Sequence, residues 1–203
     1  MAPFRSRPDE KLLERGIDPA RLPPGQYVTD KWPVLHAGRV PATEAADYRF
    51  SVRGLVEQPT TWTLEELRAL PASEVTVDIH CVTRWSRFDM PWRGVSFRTL
   101  AEVVRPLPEA RFAIAHATQG YTANLPLEAL YDDDVLVAWE ADGAALTREH
   151  GYPVRLLVPK RYFWKSAKWL TAIELTAEDR PGFWEGYGYH NDADPFREKR
   201  YGF

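Results

Sequence analysis

The chain has 203 residues and a formal net charge of −3, with 44% hydrophobic and 27% charged residues. That length buries one substantial core, so a single domain is expected. A near-neutral charge argues against nucleic acid as a partner, and no apolar run reaches the roughly 18 residues of a membrane span.

Residues 1–30 are charged and proline-rich, with "RLPPGQ", and read as an N-terminal arm on one domain covering residues 31–203. The start, "MAPFRSRPDEKLLERG", has no apolar stretch and no Arg-Arg pair, so no export signal is expected. "YRFSVRGLV" alternates apolar and polar residues as a half-buried strand does. "TWTLEELRALP" reads as a short helix, capped by Thr63 with Glu66 three residues on and ended by Pro71. "EVTVDIHC" is a strand with Val75, Val77, Ile79 and Cys81 on one face, followed by "VTRWSRFDMPWRG" as a polar, aromatic loop. "SFRTLAEVV" repeats the cap-and-helix pattern, and "RFAIAHAT" is a strand. "DVLVAWEADG" is a strand leading to a turn at Asp142-Gly143, "PVRLLVP" a short apolar strand, and "KWLTAIEL" alternates again. The final thirty residues follow neither period and are expected to be irregular, pinned by aromatics. Strands and short helices in no regular βαβ order indicate the α+β class with mixed sheets.

Two segments carry chemistry. The first surrounds Cys81, the only cysteine, which excludes an internal disulfide and fits a reducing, cytoplasmic compartment. A free cysteine commonly behaves as a small apolar residue. Here it opens into a polar loop with Arg84 and Arg87 close by, and nearby cations favour the thiolate, the ligand form for soft or high-valent metals. A nucleophilic role with His80 or His116 as base remains open, though no local motif supports it. His36, His80, His116, His150 and His190 are too scattered for a zinc motif. The second segment runs from Gly151 to Ile173 and holds Arg155, Lys160, Arg161, Lys165 and Lys168 with no acid. It reads as a local anion site, with the N–H groups of Lys165, Ser166 and Ala167 as a nest for a phosphate. Nucleotide phosphate motifs are absent.

The ordered set "HCVTRWS…WRGVSFRTL", "ATQGYTANLPLEAL", "LTREHGYPVRLLVPKRYFWKSAKWL" and "PGFWEGYGYH…DP…RY" resembles the molybdopterin-binding domain of the sulfite oxidase superfamily, over roughly residues 30–200. It is most similar to the small bacterial sulfite oxidase-like oxidoreductases. The resemblance implies that superfamily's mixed-sheet fold and one molybdenum–molybdopterin per chain, with Cys81 as the protein's thiolate on the metal. It implies cofactor contacts from His36, Thr118, His150, Arg155, Ser166, Ala167 and Lys168, and a substrate mouth to which Arg84, Trp85 and Arg87 contribute. The implied activity is oxygen-atom or two-electron transfer on a small S-oxide, N-oxide or sulfite-like substrate. An external electron donor or acceptor protein is implied too, because haem and dimerisation domains have no counterpart here. A non-catalytic binding or assembly module on the same fold is the alternative. Thr83 stands where methionine sulfoxide reductases carry an acid, and "VTRWSR" replaces the arginine-rich run of vertebrate-type sulfite oxidases. The resemblance therefore leaves the substrate undefined.

Overall fold

The computed structural model describes residues 12–202; residues 1–11 of the expected arm, most of the stretch "MAPFRSRPDEKLLERG" read for an export signal, lie outside them. Two sheets share the main core. One contains β1 (Tyr27–Val28), β4 (Ser73–His80), β5 (Trp85–Ser96), β8 (Leu136–Ala141), β9 (Ala144–Ala145) and β10 (Arg155–Leu157). Its order is β1-β5-β8-β10, with β4 paired to β5 and β9 to β8. The other sheet runs β3-β2-β11-β6-β7. Its members are β2 (Arg49–Gly54), β3 (Thr60–Thr63), β6 (Phe112–Ala117), β7 (Thr122–Pro126) and β11 (Leu170–Thr176). β2 and β11 are parallel, and the other pairs in this sheet are antiparallel.

The helices are short: α1 (Leu64–Ala69), α2 (Phe97–Val104) and α3 (Leu127–Leu130). Thr63 and Glu66 form the expected reciprocal capping box, which satisfies two orphan donors of the first turn of α1. At α2 the Ser96 hydroxyl accepts from Thr99 N–H at 3.2 Å. Leu67 of α1 and Phe97 and Leu100 of α2 meet Phe50, Val137, Leu156 and Ile173, so both sheets and the helices bury their apolar faces together. Burying a side chain such as Phe97 contributes about 1.5–3 kcal/mol.

β8 is apolar apart from Glu140 and β10 apart from Arg155, because both faces of these strands are covered. Val137 and Trp139 enter the shared core, while Leu136 and Ala138 join a second cluster with Ile79, Cys81, Trp92 and Leu157. In β10, Leu156 faces the first cluster and Leu157 the second. Strand alternation therefore puts Arg155 on the Leu157 side, the side of Cys81.

One expectation is corrected. The stretch after Cys81 is not a loop: β5 begins at Trp85, runs to Ser96, and is the longest strand described. Pro91 and a left-handed Asp89 (φ 53°) break its local signal. Pro91 lies opposite Thr76, and its carbonyl accepts from Asp142 N–H at 2.9 Å. Met90, Trp92 and Gly94 alternate inward around it. Gly94 is needed where β5 meets β8, since a Cβ there would stand 2.4 Å from the Val137 carbonyl oxygen.

Candidate functional site

A cavity of about 540 Å³ opens where the end of β4, the turn after β6, the start of β10 and the segment before β11 converge with residues 32–38 and 183–189. Cys81, His36 and Thr118 line it, as do His150 and Arg155. Ser166, Ala167, Lys168 and Trp85 complete the sequence-derived set found there. Arg84 and Arg87 do not: neither borders the cavity. Arg84 is exposed at φ 76°, and Arg87 pairs with Asp142 at 2.7 Å. The contribution expected of them to the mouth is therefore corrected: Arg84 sits at an exposed left-handed turn just before β5 and Arg87 is drawn to Asp142, while Trp85 between them does line the cavity. Gln119 and Trp169, two further non-glycine residues with positive φ, also line the cavity. Such strain commonly gathers at functional loops.

Cys81 follows β4 directly and is 8% exposed. The Thr83 hydroxyl donates to its sulfur at 3.2 Å. Burial pushes the thiol pKa up, opposed by the Thr83 hydroxyl, the Thr83 and Val82 N–H groups and the charge of Arg200. The cation that helps the thiolate is thus Arg200, from a segment the sequence reading assigned no role, rather than Arg84 or Arg87. His80 hydrogen-bonds Ser86 at 2.8 Å and His116 pairs with Glu174 at 2.8 Å. Neither lines the cavity, so neither serves as a base for Cys81.

The basic segment divides in two. Lys160 pairs with Asp132 at 3.2 Å, Arg161 with Asp192 at 3.2 Å, and Lys165 with Glu185 at 2.5 Å. Arg155 and Lys168 have no carboxylate partner among the described residues, and both face the cavity. Arg155 is 2% exposed and donates to the carbonyls of His150 (2.9 Å), Ser166 (2.8 Å) and Leu156 (3.4 Å). Neutral carbonyls orient its fork without cancelling its charge. Lys168 Nζ donates to the carbonyls of Leu35 at 2.6 Å and Glu149 at 2.9 Å. Gly151, at φ 110°, lets these two basic residues converge: a Cβ there would stand 3.1 Å from Arg155 Cβ and 3.2 Å from Lys168 Cβ.

This crowding has an electrostatic signature. Burial lowers Arg155 to about 9, still protonated at neutral pH. Burial and then Arg155 lower Lys168 to about 7. Burial, Arg155 and Lys168 hold His150 near 4. No Asp or Glu lines the cavity. Cations crowded together with no lining carboxylate make a site whose charge suits an anion.

The expected nest of N–H groups is also corrected. Lys165, Ser166 and Ala167 N–H donate to the carbonyls of Tyr162, Phe163 and Lys165 in a tight 3-10 turn. The Ser166 hydroxyl accepts from Val158 N–H at 2.9 Å. These residues shape the wall while Arg155 and Lys168 carry the charge. Trp32, which the sequence reading passed over, stacks on His150 at 3.8 Å with an interplanar angle of 11°.

A family model described as "Oxidoreductase molybdopterin binding domain" matches residues 37–184. The chain belongs to this family. The molybdopterin-binding family covers the convergence of β4, β10 and the pre-β11 segment. Among its relatives, the uncharacterized oxidoreductase YuiH of Bacillus subtilis is 46% identical over 182 residues, 89% of this chain and 92% of that protein. The protein-methionine-sulfoxide reductase catalytic subunit MsrP of Campylobacter jejuni is 28% identical over 73% of this chain. The match spans only 57% of that relative's length. Among solved structures, the sulfane dehydrogenase SoxCD of Paracoccus pantotrophus superposes with a TM-score of 0.62 at 28% identity, covering 68% of this chain and 40% of that one. The fold is the sulfite oxidase-like molybdopterin-binding fold, and the protein is an oxidoreductase of that type with a molybdenum–molybdopterin cofactor.

The residues present fit that group. Thr118 Oγ1 and Trp85 Nε1 are buried at the cavity without a hydrogen-bond partner, as expected of atoms that await a polar ligand. Arg155 and Lys168 match an anionic terminus. Cys81 is the lone thiol, and among the described residues no cluster of three His, Cys, Asp or Glu is placed to hold a metal without help. The remaining donors must come from the cofactor.

Proposed function

We propose that the protein transfers an oxygen atom, or two electrons, between a small substrate and an external electron partner, with the substrate entering beside Cys81. One observation carries the reading: a single cavity holds the only thiol together with a buried guanidinium that lacks a carboxylate. Cys81 would ligate the metal, with the Thr83 hydroxyl orienting and partly neutralising its sulfur. Arg155 and Lys168 would hold the phosphate, Thr118 would bond the pterin, and His150 and His36 would flank it. Ser166 and Ala167 would shape its seat. The bound group supplies a metal able to exchange two electrons together with an oxygen atom.

The names of similar proteins, which also include a nitrate reductase of Lotus japonicus 28% identical over 89% of this chain and 23% of its own length, leave three chemistries to consider: S-oxide reduction, nitrate reduction and sulfane oxidation. Some relatives are named as subunits, which supports an electron-carrying partner. The lone cysteine supports a reducing compartment such as the cytoplasm. Among the described residues no helix is long and apolar enough to cross a membrane.

The test is metal analysis of protein purified from a molybdate-supplied host, with dye-linked turnover. Near one molybdenum per chain, with turnover lost in Cys81→Ser, supports the reading. Metal retained without turnover of any S-oxide, N-oxide, nitrate or sulfite favours a binding module instead.

A further inference from the structure

Between two anchored points the chain crosses the cavity without support from its own backbone. Thr29 N–H donates to the Ser86 carbonyl at 2.9 Å, and Tyr48 OH donates to the Leu170 carbonyl at 2.6 Å. From 30 to 43 no residue is fully buried and none belongs to a helix or strand. Among the described residues no backbone group of this stretch bonds another backbone group. Yet its Trp32, Leu35 and His36 line the cavity. Segments of this kind open locally unless side chains hold them.

The side chains that hold it belong to the site. Gln119, at φ 60°, clamps one end: its Oε1 accepts from Arg39 N–H at 3.1 Å and its Nε2 donates to the Arg39 carbonyl at 2.6 Å. The fit is close, since a Cβ on Gly38 would stand 2.7 Å from that Oε1. Lys168 holds the middle through its 2.6 Å bond to the Leu35 carbonyl. Trp32 holds the other end through its stack on His150. Between these holds Val34 and Leu35 are 47% and 50% exposed, so little apolar burial resists lifting.

The segment covers both cations of the anion seat. The Trp32 ring lies 5.7 Å from the Arg155 guanidinium, and Leu35 takes one of the three N–H donors of Lys168. The Glu149 carbonyl takes a second at 2.9 Å, which leaves the third for an anion. An anion there keeps the amine charged, and a charged donor bonds the Leu35 carbonyl more strongly than a neutral one. We propose that residues 30–43 form a strap that lifts for an anionic ligand to reach or leave Arg155 and Lys168, that Gln119 is the positioning residue that clamps it, and that the bound anion closes it through Lys168. The inference rests on the anion seat assigned to those two cations above.

The test is deuterium uptake by peptides spanning 30–43, with β11 as the internal reference. In the molybdenum-loaded protein Gln119→Gly, which leaves the left-handed backbone unstrained, should speed uptake there about fivefold or more and leave β11 unchanged. Gln119→Glu keeps the acceptor for Arg39 N–H and loses the donor, so it should fall between. Molybdenum loss on dialysis should quicken in the same order. In the cofactor-free protein, sulfate should slow uptake in the strap about threefold or more, and should not do so in Lys168→Met. Uptake across 30–43 as slow as in β11, or unchanged in Gln119→Gly, overturns the strap. A rise in β11 as large as that in the strap gives Gln119 a merely structural role and overturns its positioning one. Sulfate that binds by calorimetry without slowing uptake overturns the closure through Lys168. Failure of sulfate to bind overturns the anion seat and the inference with it.

Discussion

Arg200 donates a 2.6 Å hydrogen bond to the carbonyl of Val82, the residue after the only cysteine. Its other arm reaches the Pro24 carbonyl at 3.4 Å, and Gln26 Nε2 donates to the Cys81 carbonyl at 3.0 Å. The loop that presents the thiol is therefore clasped by the segments near both ends of the described chain. Arg200→Met should cost about 1.5–3 kcal/mol, the range for a hydrogen bond from a charged donor. It should also speed loss of molybdenum during dialysis. Arg200→Lys, which retains the charge, should recover part of both. Urea unfolding and metal analysis over time check this.

Lys165 and Glu185 form a buried pair at 2.5 Å, with side chains 0% and 4% exposed. Lys165 Nζ also donates to the carbonyl and side-chain oxygens of Asn124, at 2.8 and 2.9 Å. Lys165→Met removes the cation and leaves a buried carboxylate, at a cost of about 3–5 kcal/mol. The double variant Lys165→Met/Glu185→Gln should cost less than the single one, because no charge is stranded. Urea midpoints of the two proteins decide this.

Lys168, lowered to about 7 by burial and by Arg155, makes anion capture depend on pH. Its folded pKa lies below its model value of 10.5, so the cofactor-free folded protein holds fewer protons than the unfolded chain between about pH 7 and 10.5. Stability from this group therefore rises with pH across that window and is flat below it. Anion binding has the opposite sign, since the anion favours the protonated amine. Affinity of the cofactor-free protein for sulfate, whose own charge is constant here, should fall as pH rises through 7, by up to about tenfold per unit. Calorimetric titration should show this slope in the native protein and none in Lys168→Met.

Arg87 sits outside the cavity and pairs with Asp142, with side chains 20% and 40% exposed. Arg87→Gln should shift stability by about 1 kcal/mol or less, as for other surface ion pairs. It should leave kcat and KM within about twofold of the native values. A large rise in KM would restore this arginine to the substrate mouth.

Local signals that agreed with the final packing were readable in advance. Thr63 and Glu66 announced α1, Asp142-Gly143 the β8–β9 turn, and "PVRLLVP" a short apolar strand. Cys81 and the acid-free run from Gly151 to Ile173 stood out in composition, and the resemblance picked Arg155 and Lys168 from that run. What escaped depends on distant partners. β5 hid behind Pro91 and Asp89, and its pairing with β4 and β8 is what overrides them. Which bases face the cavity was equally hidden, because Lys160, Arg161 and Lys165 find their acids at Asp132, Asp192 and Glu185. The aromatic-rich stretch after Pro181 was read as pinned irregular chain, but nothing local reveals that Phe183, Trp184 and Tyr189 wall the cavity.

That wall also bears on truncation. Phe183, Trp184, Tyr189 and the Arg200 clasp all belong to residues that follow both sheets in the chain. A chain ending at Arg180 would keep both sheets, Cys81 and Arg155 but would lack Phe183, Trp184 and Tyr189 from the cavity lining and the Arg200 clasp on the Cys81 loop, so the residues after Arg180 are as much a part of the site as the strands that present the thiol.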